Sequence, residues 1–99
     1  MNDPNIFNLQ RLPARLDVRQ VAQLLGFAQY EIPILVRAKL LSPLGNPSQN
    51  GVKYYCANEI EALSKQRDWL NAASKAVTKF RKAKNARQVM DAALNSTKN

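Results

Sequence analysis

The feature that most constrains this chain is a pair of helical repeats, the first stopped by a glycine and the second started at a proline. From Asp17 onward, Val18, Val21, Ala22, Leu24 and Leu25 fall at the i, i+3, i+4, i+7 spacing of a helix with one apolar face; Asp17 is a good N-cap and Gly26 ends the repeat. Helical spacing resumes with Ile32, Leu35, Val36, Lys39 and Leu40. Pro33 lies inside that stretch and lacks the N–H an interior position would use, so a second helix is expected to start just before it, with Pro33 in the first turn. Two short helices on a tight turn must pack on each other. Ala22 is small where they cross, and Val21, Leu25, Phe27, Ile32 and Leu35 can fill the space between them.

The residues that most enzyme sites are built from are scarce. In 99 residues there is no histidine, one cysteine (Cys56) and seven carboxylates. A histidine-based triad, a disulfide framework and a Cys or Cys/His zinc site are excluded by counting, and no enzymatic chemistry, metal or cofactor is expected. One small domain is the most such a length supports, since it buries only about two-thirds of the surface exposed on unfolding. The formal charge is +8, which makes a polyanion the first partner to consider. That charge is uneven: residues 1–74 hold eight Lys/Arg against six Asp/Glu, whereas residues 75–99 hold seven Lys/Arg against Asp91 alone. No apolar run approaches the roughly 20 residues that cross a bilayer, and the N-terminus lacks the order of a signal peptide, so a cytoplasmic location with a reduced thiol is expected.

Outside the helix pair the chain divides as follows. Residues 1–16 are expected to form an arm or a short lead-in strand, with Ile6, Phe7, Leu9, Leu12 and Leu16 available for docking. Six of the ten residues from Ser42 to Gly51 are Gly, Pro or Asn, which predicts a loop, and Asn50-Gly51 is a hairpin-type turn signal. Leu40, Leu41 and Leu44 before that loop, with Val52, Tyr54 and Tyr55 after it, predict a small two-stranded ribbon. Of the two tyrosines, one is expected in the core and the other exposed. Asn58 is expected to cap a helix in which Ile60, Leu63, Leu70, Ala73, Val77 and Phe80 keep an apolar stripe for about six turns, with a break near Asp68. Trp69 reads as its packing anchor, and residues from Asn95 onward are expected to fray.

The spacing from Val21 to Leu35 suits a DNA-binding helix-turn-helix, although an ordinary antiparallel helix pair uses the same small residue and turn glycine. Asp17 to Leu63 resembles the winged-helix domain of the MerR and excisionase-like families. The resemblance rests on the Leu24-Leu25-Gly26 turn, the Lys39-Leu40-Leu41 exit where those families have a Gly-Leu-Leu-like run, and the segment Gly51 to Ile60, in which Lys53 takes the position of the wing arginine. It implies a mainly α winged helix-turn-helix with a β-ribbon wing, expected at residues 17–67; beyond it, charge and helical spacing predict a basic amphipathic helix and tail at residues 68–99. It departs in the second helix, where those families offer an arginine and two tyrosines and this chain has Pro33, Ile34 and Leu35. The long coiled-coil helix and sensing segment are missing as well, so ligand sensing is not carried over.

Candidate contacts to double-stranded DNA follow from that arrangement. Gln29 and Tyr30 fall at the start of the second helix, where glutamine can pair with adenine and tyrosine can bond phosphate or stack; a solvated turn is the alternative. Arg19 and Arg37 lie on polar helix faces within reach of phosphate, or serve as plain surface charges. Lys53 is expected on phosphate from the wing. Lys75, Lys79 and Lys82 share one face of the last helix and, with Arg81, Lys84 and Arg87, either line phosphates or form a solvated face. With Trp69 and Phe80 its only large aromatics and an alanine-rich apolar face, that helix is not expected on a membrane. The stripe from Ile60 to Phe80 predicts a homodimer, with folding back onto Ile6, Phe7 and Leu9 as the alternative. The expected function is sequence-specific duplex binding by a small transcriptional regulator or excisionase-like architectural factor. A protein-interaction adaptor, or a recruitment factor for a recombinase or DNA-packaging enzyme, is the alternative.

Overall fold

A computed structural model describes the backbone of residues 11–97 and the side chains of residues 11–85. The expected docking of Ile6, Phe7 and Leu9 and the side-chain role of Arg87 lie outside them. The chain is mainly helical with one small antiparallel sheet: β1 (Arg15–Leu16), α1 (Val18–Leu25), a 3-10 turn (Gln29–Glu31), α2 (Ile32–Arg37), β2 (Tyr55–Cys56), α3 (Ala57–Ser64) and α4 (Arg67–Thr97).

The helix pair forms as the local sequence dictates. The Asp17 carboxylate accepts the Gln20 N–H at 2.9 Å while the Gln20 side-chain carbonyl accepts the Asp17 N–H at 3.0 Å, a reciprocal box that satisfies two donors at the start of α1. Gly26 ends α1 at φ +82° and donates to Ala22 O at 2.8 Å. A side chain there would meet no atom within 4 Å, so glycine is required by the backbone angle and not by space. Pro33 sits in the first turn of α2, where its missing N–H leaves no gap. At the other end of α2, Lys39 N–H donates to Val36 O and Leu40 N–H to Leu35 O, a Schellman closure whose left-handed position is held by Lys39 at φ +66°.

The ribbon differs from expectation. β2 pairs with β1, Leu16 opposite Tyr55 and Arg15 opposite Cys56, and not with residues 40–44. Across the 42–54 loop a single bond, Leu44 N–H to Tyr54 O at 2.8 Å, holds the two limbs together. Pro43 and Pro47 have no N–H to give a ladder, and Gly45 and Asn46 both take positive φ, so the first limb turns where a strand would have to run straight. The Asn50-Gly51 signal marks the end of a turn begun at Ser48, whose carbonyl accepts the Gly51 N–H at 2.9 Å.

Asn58 does not cap α3. The helix leaves the sheet directly, with Cys56 at the cap position, because the first free donor, Ala57 N–H, is taken by Ala14 O at 3.0 Å. The break expected near Asp68 falls at Lys65 and Gln66. There the Ser64 hydroxyl donates back to Glu61 O at 2.6 Å, a local bond that competes with helix continuation. α4 then runs 31 residues, about 46 Å at 1.5 Å per residue, and remains helical through the Asn95–Thr97 end expected to fray.

One core joins all of these elements. Leu16, Val21, Ile32, Leu35, Tyr55 and Ile60 are fully buried, each worth about 1.5–3 kcal/mol relative to exposure. Leu16 enters this core from β1, at the end of the segment expected as an arm or a lead-in strand, and Ala73 and Val77 enter it from α4. α1 packs on α3, and α4 packs on α2. The apolar stripe is therefore covered within the chain as far as Val77, with Phe80 left 39% exposed where α4 runs past the body. Tyr55 is the core tyrosine; Tyr54 is half-buried with the Arg15 guanidinium 4.1 Å from its ring centre.

Candidate nucleic-acid interface

Three separate segments converge on one open groove. Asp17, Val18 and Arg19 reach it from the start of α1, Pro33 from the first turn of α2, and Val52 and Lys53 from the 42–54 loop. Each is placed for a local reason. The capping box fixes the entry to α1, the proline fixes the entry to α2, and the Ser48–Gly51 turn aims Val52 outward until it is 75% exposed. Of the sequence-derived candidates this groove gathers Arg19 and Lys53. Arg37 lies exposed in the last turn of α2 and does not line it.

Lys53 has a second task. Its Nζ donates to the carbonyls of Gln49 at 2.8 Å and Gly51 at 3.3 Å, closing the loop that carries it. An ammonium group has three donors, so one remains for an anion in the groove.

Gln29 and Tyr30 are exposed on the 3-10 turn before α2, as the start of that helix requires. Glu31 beside them is bonded through both carboxylate oxygens. Its Oε1 accepts the Ala28 N–H at 2.9 Å and its Oε2 pairs with Arg81 of α4 at 3.0 Å, and the side chain is only 12% exposed. The same Arg81 Nη2 donates to the Tyr30 hydroxyl at 2.8 Å. Arg81, placed with the phosphate-lining cations by its sequence position, is thus engaged with the turn before α2. The contact spans some 50 residues, and the only sequence signal for it is the position of Arg81 on the flank of α4, between the apolar stripe and the lysine face.

Comparison with family models, curated proteins and solved structures returns no match. What the site can do follows from its own chemistry.

Lys75, Lys79 and Lys82 fall together on the outer face of α4 and line a shallow trough with Ser74 and Thr78. At 100° per residue this face lies roughly opposite Ala73 and Val77, so docking of α4 onto α2 turns all three ammonium groups outward. Lys84 is also exposed. Among the described residues no polar or charged side chain is buried, and no three Cys, Asp or Glu residues cluster to hold a metal ion. Cys56 is half-buried in β2. No described helix is long and apolar enough to cross a membrane.

Proposed function

We propose that this chain binds double-stranded DNA in the cytoplasm as a small winged helix-turn-helix regulator or excisionase-like architectural factor. The observation that carries the reading is the convergence of Arg19, the Pro33 end of α2, and Val52 with Lys53 on one open groove in a chain of formal charge +8. α2 meets the major groove with its first turn, and Gln29, on the 3-10 turn just before it, is the exposed side chain able to pair a base edge. The 42–54 loop takes the part of the wing although it is not a β-ribbon. Arg19, Arg37 and Lys53 supply phosphate contacts around that point. Lys75, Lys79 and Lys82 add affinity that does not depend on sequence. No metal or cofactor takes part.

Selection of binding sites from a random duplex library at about physiological salt tests this directly. Enrichment of a common motif supports the reading, and recovery of the starting pool without retention overturns it.

A second reading, an adaptor or recruitment factor for a DNA-processing enzyme, draws on Phe80, which stays exposed at the point where α4 passes the body. It separates from the first by elution from heparin or duplex DNA: an adaptor whose lysines serve only solubility is not held at moderate salt.

A further inference from the structure

Tyr30 is the most unusual side chain at the candidate interface. The residue is 64% exposed, yet its hydroxyl is held at 2.8 Å by a guanidinium of α4, some 50 residues later in the chain. Arg81 can only donate, so the Tyr30 oxygen is the acceptor in that bond and its own proton is left to point away from Arg81. The guanidinium is itself fixed by Glu31 Oε2 at 3.0 Å, and Glu31 is fixed by the Ala28 N–H. Accepting a bond from this cationic donor polarises the Tyr30 O–H toward an acceptor of its own, while Glu31 and Ala28 hold the guanidinium in place.

Resting on the DNA-binding reading above, we infer that Tyr30 is a dedicated hydrogen-bond donor to a phosphate oxygen of the duplex, and that Arg81 is the residue that positions it. Arg81 is assigned no phosphate of its own, because Glu31 matches its charge and Glu31 and Tyr30 together hold its Nη2, although Nε and Nη1 keep their donors. This separates the tail cations into two kinds: Lys75, Lys79 and Lys82 face outward toward phosphates, whereas Arg81, also exposed, is bonded to Tyr30 and Glu31 and acts through Tyr30.

The test uses the full chain and a random-sequence duplex, with affinity measured over a range of salt for the parent, Tyr30→Phe, Arg81→Met, Arg81→Lys and the double variant Tyr30→Phe/Arg81→Met. A neutral donor releases no counterion. Tyr30→Phe is therefore expected to weaken binding roughly tenfold at every salt concentration, with the slope of log affinity against log salt unchanged. Arg81→Met should give a loss of similar size, also without a change of slope, and Arg81→Lys should recover part of it. The double variant should be no weaker than the weaker single variant.

Tyr30→Phe indistinguishable from the parent overturns the inference while leaving DNA binding intact. So does a fall of about 0.9 in slope for Arg81→Met with losses that multiply in the double variant, since the guanidinium would then be neutralising a phosphate. A parent that does not bind duplex at all overturns the DNA-binding reading and this inference with it. Both side chains are exposed, and thermal melts check that each variant is folded. The Tyr30→Phe comparison decides the matter even where Arg81→Met loosens α4.

Discussion

The Trp69 indole N–H donates to the carbonyl of Leu40 at 3.1 Å, joining the first turn of α4 to the residue that closes α2. The ring is half-buried against the core, so one side chain supplies both apolar contact and a partner for a carbonyl at a helix end. Together with the Arg81 contact to Tyr30 and Glu31, it anchors α4 at both ends of α2.

Trp69→Phe keeps an aromatic ring and removes the donor. It is expected to lower stability by about 1–2 kcal/mol, measured by urea denaturation, with the Leu40 carbonyl left to water.

Lys39 occupies the left-handed position at the end of α2 that glycine fills without steric cost. Lys39→Gly is therefore expected to raise stability, by about 0.5–1 kcal/mol after the greater entropy of glycine in the unfolded chain is counted. A lower denaturation midpoint in the variant would mean that the lysine side chain makes a contact worth more than the backbone strain.

Gln29 and Lys53 should separate specificity from affinity. Gln29→Ala is expected to relax preference at one base position, costing about 1–3 kcal/mol of discrimination there while leaving non-specific affinity nearly unchanged. Lys53→Ala is expected to weaken binding on every sequence, because it removes both a phosphate contact and the bonds to Gln49 and Gly51 that close its loop. Binding profiles across a site library check both; an unchanged profile for Gln29→Ala would shift sequence reading to the loop or to DNA shape.

The outer face of α4 predicts a purely electrostatic signature. Replacing Lys75, Lys79 and Lys82 by glutamine should flatten the salt slope by roughly 0.9 for each phosphate no longer neutralised, and lower affinity on all sequences alike. An unchanged slope would assign this face to solvation.

Burial raises the pKa of the Tyr55 hydroxyl above its ordinary value of 10.0. The folded state thus holds this proton more tightly than the unfolded state. Its contribution to stability is complete below about pH 10 and is lost as pH rises from there through the folded-state pKa. Tyr55→Phe, which keeps the ring, is expected to give a shallower loss of stability than the parent in alkaline denaturation. Parallel alkaline limbs would show that the hydroxyl does not ionise against burial.

What was legible in the sequence lies within a few residues of its cause. Asp17 and Gln20 are three positions apart, Gly26 bonds back to Ala22, and Pro33 needs only its own ring to mark the first turn of a helix; these fixed α1, the turn and the start of α2 where spacing placed them, while α2 ends at Arg37, short of the Lys39 and Leu40 that shared its spacing. The alternation that makes Tyr55 a core residue and leaves Tyr54 half-exposed is equally local. Arg19 lies in the first turn of α1 and Gln29 on the turn before α2 for equally local reasons, whereas Lys53, expected in a ribbon strand, lies in the loop before β2.

The partner of β2, the role of Arg81 and the cap of α3 were decided only by tertiary structure. Val52, Tyr54 and Tyr55 have the same strand character whether they face residues 40–44 or Arg15 and Leu16. The choice fell to Leu16 because it buries fully beside Tyr55 in the common core, while prolines and positive φ angles spoil the nearer limb. That pairing in turn gave Ala57 N–H a backbone acceptor and made Asn58 unnecessary as a cap. Arg81 resembles its neighbouring lysines in charge and exposure, and it differs from them only in facing the turn before α2 once Ala73 and Val77 have docked. No local pattern encodes that position, because it is set by how α4 lies across a helix some 50 residues earlier in the chain, a placement that rests on the burial of Ala73 and Val77 and not on any local signal around Arg81.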